Sequence, residues 1–331
     1  MSLSPRPNRT SRIIRLLPRL IIAAGLTAYI FVRSRPREIL AAGAGADWRP
    51  MGVAVMLVLA DRTLMAYRWL VLLCTVEPEV RPPLAAIMRI FFVSTFVGTF
   101  LPASVGADAV RAYGTARLGV PAEDAVASVL MDRLLGVASV VVMALLGLTL
   151  ARNLTDSRAV LLALAVAGAV CLATILLIFS STTAALVSQL VNRLPFHQLR
   201  QAAGRVLGSV RKYVAHPVPL FNVLVCSIAV QALRVVQAYY LGRGLGIEAG
   251  LESYFAFIPV ILLVMLLPVT FNGIGTSQAA FVWLFVPAGV PAPAAFALSV
   301  LFVALGIVGN LPGAILFATG ARAADKPHVT L

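Results

Sequence analysis

Charge is scarce in this chain. Asp, Glu, Lys and Arg make up 12% of its 331 residues and apolar side chains 60%, which leaves too little polar surface to clothe a water-soluble globule. Acids are the scarcer sign, 13 against 27 bases, for a formal net charge of +14. Nucleic acid is excluded as the basic partner, because the bases flank apolar runs and do not gather on one face with interleaved aromatics. Anchoring to anionic lipid headgroups and orienting helices is what such flanking bases do. Histidine is nearly absent: His197, His216 and His328 all lie outside the apolar runs, without metal-ligand spacing. Cys74, Cys171 and Cys226 each sit singly in an apolar run, which excludes a disulfide framework or thiolate cluster and assigns them to packing. There is no nucleotide loop, and no long acid-bearing external loop of the kind a membrane glycosyltransferase needs. No catalytic residue, metal or cofactor is therefore assigned, and the chain is not expected to be an enzyme.

What the chain has in abundance is long apolar runs, at about 17–33, 51–74, 124–150, 157–180, 217–241 and 291–319, each of the roughly 17 or more residues that crossing a bilayer takes. Five arginines from Arg6 to Arg19 before the first run resemble a secretory signal, but Arg33, Arg35, Arg37 and Glu38 follow where a cleavable signal is uncharged. The run is read as the first transmembrane helix. Two more runs, 84–101 and 251–271, end in Leu-Pro, at Leu101-Pro102 and Leu267-Pro268, and are each followed by a short, more amphipathic helix. Counting bases decides whether those two cross, since cytoplasmic loops are enriched in Lys and Arg. Outside the runs lie 22 bases; if both segments cross, they divide 11 to 11, and if both are re-entrant hairpins they divide 15 inside to 7 outside. The re-entrant arrangement is preferred, with both termini cytoplasmic.

An internal repeat agrees. Leu101-Pro102 recurs as Leu267-Pro268, and Gly119-Val120-Pro121-Ala122 recurs unchanged as Gly289-Val290-Pro291-Ala292, each before an Ala-rich helix containing Ser-Val-Leu. Three crossings per half is an odd number, so the halves are inverted. The fold expected is an all-α polytopic membrane protein of one domain, with six transmembrane helices and two re-entrant hairpins, eight long hydrophobic segments in all. Repeat one runs from about 13 to 150 and repeat two from about 157 to 319, with an amphipathic connector at 181–216 along the cytoplasmic interface. Broken helices at the interface of inverted repeats are a transporter design with substrate near the midplane.

Broken backbone and charge inside a bilayer are tolerated only in protein or beside water. The stretch Gly98 to Tyr113 breaks at Pro102 and restarts with Asp108 and Arg111 on one helix face. A helix start there attracts an anion and an arginine beside it grips phosphate; alternatively, Asp108 caps the helix and pairs with Arg111. Asp132 and Arg133 lie deep in an apolar run and, about 100° apart on a helix, each needs another partner, Asp132 serving as counter-ion for Arg68 or Arg111. Asp61, Arg62 and Arg68 form a similar set, with snorkelling as the plainer account of Arg68. In the second half Asn272, Gly273, Gly275 and Gln278 offer amides and free N-H groups, and Arg234 lies with Gln231 and Gln237 on a polar stripe.

At these residues the chain resembles the flippase-like membrane family named for the transmembrane region of lysylphosphatidylglycerol synthase. The resemblance is carried by Arg68-Trp69, Leu101 to Tyr113, Asp132-Arg133 with Gly136, the break from Pro268 to Gly275, and Leu311-Pro312-Gly313. The family commonly has Gly-Gly-Asp where this chain has Gly106-Ala107-Asp108, and often a glutamate in place of Gln278; proton coupling on the second hairpin is therefore not implied. With no synthase domain, aminoacylation is not implied either. The resemblance implies movement of a lipid or lipid-linked headgroup between leaflets of a bacterial inner membrane, with Arg68, Asp108, Arg111, Asp132, Arg133, Arg234, Asn272, Gly273, Gly275 and Gln278 as the substrate-binding set. Expected partners are membrane lipids with an anionic headgroup, together with a second copy of the chain or a lipid-biosynthesis enzyme. The alternative is a non-transporting partner subunit of such an enzyme, and a further one an intramembrane lipid transferase using Asp108 or Asp132.

Overall fold

Prolines set most of the helix starts. The computed structural model describes residues 45–76, 82–99, 105–150, 197–266 and 275–324, with scattered positions between 165 and 189. The expected first crossing, most of the run 157–180, and both Leu-Pro breaks lie outside the described residues. Helix α1 (Trp48–Val76) follows Asp47, whose Oδ1 accepts the Arg49 backbone N-H at 3.0 Å, satisfying an orphan donor of the first turn. Helix α2 (Leu84–Thr99) starts behind Pro82-Pro83, and α3 (Val105–Ala116) follows the first break. Pro121 precedes α4 (Ala122–Leu150), whose first turn places Glu123 and Asp124 at the positive end of its dipole. After α5 (His197–Lys212) and one 3-10 turn, α6 (Pro217–Gly244) opens on a proline that needs no partner for its missing N-H. Helices α7 (Leu251–Leu266), α8 (Thr276–Phe285) and α9 (Ala292–Ala324) complete the described chain. No strand occurs among the described residues.

Stretches of α4, α6 and α9 are long and apolar enough to cross a bilayer. Helices α2 and α7 hold 16 residues each, about 24 Å at 1.5 Å per residue, short of a hydrocarbon core of about 30 Å. Each packs against the helix that follows it. Gly98 of α2 faces Ala107 of α3, and farther from the break Ile90 faces Gly114, so the two helices run antiparallel. Likewise, Phe285 at the end of α8 packs its ring 5.1 Å from Tyr254 and 5.2 Å from Phe257, in the first half of α7.

The two sets, α1 to α4 and α6 to α9, correspond in order and in packing. Equivalent helices start 167 to 171 residues apart. Gly119 and Gly289, at φ +91° and +89°, make the same left-handed turn before α4 and α9, a conformation that a Cβ would strain. Helix α2 packs on α9 and α7 packs on α4, so each hairpin leans on the last helix of the other set. Small residues permit both approaches: a Cβ on Gly147 would collide with the Phe255 carbonyl, and one on Gly313 with the Phe92 carbonyl. Equivalent helices α1 and α6 pair directly and antiparallel, since Gly244 meets Asp47, Gln237 meets Leu57 and Ser227 meets Arg68.

The connector helix α5 is amphipathic and docks at the end where α1 finishes and α4 begins. Lys212 Nζ donates to Asp124 Oδ1 at 3.0 Å, and Tyr213 hydroxyl donates to the Leu72 carbonyl at 3.1 Å. Burial, then the charges of Asp124 and Asp132, push that hydroxyl well above the usual tyrosine range. It therefore stays a donor.

Candidate functional site

Three helices deliver the first cluster. Asp132, ten residues into α4, is the hub. It accepts from Arg68 Nε of α1 at 2.8 Å through Oδ1 and from Arg111 Nη2 of α3 at 3.1 Å through Oδ2. Arg68 reaches a fourth helix, where Nη1 donates to Ser227 Oγ of α6 at 2.9 Å. Arg111 is 4% exposed, and its guanidinium lies 4.4 Å from the Trp69 ring centre and 5.0 Å from that of Phe91, so aromatic faces supply the attraction that water would have given. Trp69 is fixed in turn by its Nε1-H, which donates to Ser128 Oγ at 3.2 Å.

Arg133 points to another side of α4, as adjacent helical positions must. Its Nε and Nη2 donate to the two oxygens of Asp108, both at 3.0 Å, a bidentate grip. Its side chain is 39% exposed and that of Asp108 22%. These four helices, with α2 and α7, surround a cavity of 250 Å3 lined by Arg68, Asp108, Arg111, Asp132, Arg133 and Arg234, among others. Four guanidiniums thus face two carboxylates, and six of the sequence-predicted site residues meet in one place.

A second cavity, of 230 Å3, lies alongside. Arg234, Leu262 and Met265 line both. Its polar walls are Asp61, Arg62, Arg234, Gln237, Thr99 and Asn310. Arg62 Nη2 donates to the Gly306 carbonyl at 3.4 Å, and Asp61 sits between Arg62 at 3.4 Å and Arg234 at 3.5 Å. Similar sequence offsets separate residues that line the two cavities: Arg234 stands 166 residues after Arg68, and Gly306 stands 170 after Gly136. Their chemistry differs, because Phe302 and Val303 occupy the places of Asp132 and Arg133, and the acid for Arg234 comes from Asp61 of α1.

Gly275 and Gln278 lie at the start of α8. Gln278 Oε1 accepts the Gly275 backbone N-H and the Ser277 hydroxyl, and neither Gly275 nor Gln278 lines the two cavities. Asn272 and Gly273 are outside the described residues. The set read from the sequence lacked Thr99, Ser227 and Asn310. The repeat offset points to Ser227, which lies 166 residues after Asp61; the other two come to the cavity through the packing of α9 on α2. Among the described residues no three His, Cys, Asp or Glu side chains converge as a metal set.

Compared with known proteins, the chain matches the family model described as the lysylphosphatidylglycerol synthase TM region over residues 16–313. No curated protein matches it, and no solved structure does.

Proposed function

Because this chain belongs to the lysylphosphatidylglycerol synthase transmembrane-region family, a membrane domain associated with lipid synthesis or flipping, we propose that it is a lipid translocase. It moves an anionic or isoprenoid-linked lipid between the leaflets of a bacterial inner membrane. The observation that carries this reading is the convergence of four guanidiniums on a cavity holding two carboxylates, inside an apolar bundle. An uncompensated charge in a bilayer costs at least a few kcal/mol, so surplus arginine is retained where something anionic comes to meet it.

The two sets of helices act as inverted repeats, the pairs α2-α3 and α7-α8 as re-entrant hairpins entering from opposite faces. Antiparallel packing of the equivalent helices α1 and α6, and helices too short to cross, support that arrangement. The end that carries Arg200, Arg205, Arg211 and Lys212 faces the cytoplasm. Arg133, at the exposed rim, meets the headgroup first by leaving Asp108; Arg111 and Arg68 hold it deeper, while the acyl or isoprenoid chains stay in lipid. Rocking of one set against the other alternates access. No bond is made or broken in this scheme, and neither acid is free to act as a base.

Transfer of a labelled anionic headgroup between leaflets of reconstituted vesicles tests it. Arg111→Ala and Arg133→Ala are each expected to slow transfer by about tenfold or more, the worth of one charge-assisted contact of roughly 1.4 kcal/mol. Unchanged rates would overturn the assignment. A second reading, a non-transporting partner of a lipid-modifying enzyme, draws on the pairing of Arg68, Arg111 and Arg133 with acids; it predicts no transfer in vesicles holding this chain alone.

A further inference from the structure

Met65 and Trp69 stand four residues apart on α1, and so one turn apart on one face of it. Each receives a guanidinium from another helix. Arg111 of α3 lies 4.4 Å from the Trp69 ring centre, and Arg234 of α6 donates through Nη2 to Met65 Sδ at 3.2 Å. All but Trp69 line the first cavity. Both arginines also carry a donor short of a proper acceptor. Arg111 Nε has no hydrogen bond although the residue is 4% exposed, and a thioether is a weak acceptor for a charged N-H. An unmet buried donor is costly, so this face of α1 gathers two N-H groups that an anion would satisfy.

The balance of charge points the same way. Five guanidiniums line the two cavities, Arg62, Arg68, Arg111, Arg133 and Arg234, against three carboxylates, Asp61, Asp108 and Asp132. Two positive charges are therefore in excess inside an apolar bundle, where uncompensated charge is expensive. A headgroup with one negative charge halves the excess. Once that headgroup leaves, the whole excess returns, and reorientation with nothing bound becomes the costliest stroke of a rocking cycle.

We infer that a small monovalent inorganic anion of the halide class is held by Arg111 and Arg234 over the Met65-Trp69 face whenever the headgroup is not, and that the protein is an exchanger. One anionic lipid moves in one direction for one inorganic anion in the other. This rests on the translocase reading above. Arg111 Nε and Arg234 Nη2 are the donors that grip the ion, the second by giving up the Met65 sulfur. A cavity of 250 Å3 holds it together with water. The loaded site then carries the same charge on both strokes, and a gradient of the inorganic anion drives the lipid.

Two measurements on the full-length protein test it. The first uses phosphatidylcholine nanodiscs and a chain in which Trp48→Phe and Trp283→Phe leave Trp69 as the sole tryptophan. Iodide is expected to quench Trp69 with saturation, chloride to relieve the quenching, and Arg111→Gln to abolish its saturable part. Met65→Leu, which removes the sulfur that the ion displaces, is expected to tighten binding by about threefold. The second follows a labelled anionic lipid from the outer to the inner leaflet of proteoliposomes. Replacing lumenal chloride by bulky lactobionate is expected to slow transfer by about tenfold or more, and the same replacement outside is expected not to slow it. Quenching that stays linear and ignores Arg111→Gln, weaker binding in Met65→Leu, or transfer equally fast with lactobionate inside overturns the inference and leaves the translocase reading standing. Absence of transfer in every salt overturns both.

Discussion

Asp132 holds two guanidiniums at once, one from α1 and one from α3, and all three groups are nearly closed off from solvent. Breaking a buried pair from one side typically costs about 3–5 kcal/mol, because the other charge stays behind. Asp132→Leu leaves two such charges, and is expected to lower the melting temperature in detergent more than any other single change at the site. Adding Arg68→Met to that chain removes one stranded charge and recovers part of the loss; a double variant that melts still lower would show that Asp132 does not act as the counter-ion of Arg68. Arg133→Ala is expected to behave oppositely, shifting stability by about 1 kcal/mol or less, as partly exposed pairs do, while slowing transfer. The sequence made legible that Asp132 and Arg133 cannot serve each other, since adjacent helical residues diverge. It did not disclose which arginine each acid takes, because that depends on where helices distant in the chain cross.

Two junctions hold the hairpins against the opposite set, α7 on α4 at Gly147 and α2 on α9 at Gly313. Both bring a glycine against a carbonyl. Forcing a side chain into such a contact separates the helices at a cost of roughly 1–3 kcal/mol or more. Gly147→Val and Gly313→Val are expected to lower thermal stability by similar amounts and to slow headgroup transfer, since both loosen a wall of the cavities. A protein that tolerates one and not the other would show that the junctions are not equivalent. Helix boundaries were largely readable beforehand, because prolines at 50, 83, 121, 217 and 291 fix the starts and apolar length fixes the rest. The junctions were not, because a lone glycine in an Ala- and Leu-rich run looks the same whether it faces lipid or a neighbouring backbone.

At the scale of the whole molecule, the correspondence between the two sets could be seen in four identical residues 170 positions apart, and the structure extends it to order, turns and packing. The chemical asymmetry of the cavities could also be read once the offset was known, with Phe302 opposite Asp132 and Val303 opposite Arg133. What stayed hidden was the crossed attachment of hairpins, for which local sequence has no signal. The orientation proposed for the two sets makes a direct forecast. In a chain whose native cysteines are replaced, Arg205→Cys and Glu248→Cys are expected to react with an impermeant thiol reagent from opposite faces of sealed vesicles; labelling from one face would refute the inverted arrangement. The crossed attachment also bears on synthesis. A nascent chain that has reached only α4 shows the bilayer two unfilled seats, one on α2 and one on α4, whose tenants are not yet translated. The first half therefore has to linger half-built in the insertion machinery's company, and a chain cut between the halves is expected to be cleared by proteolysis before it can accumulate.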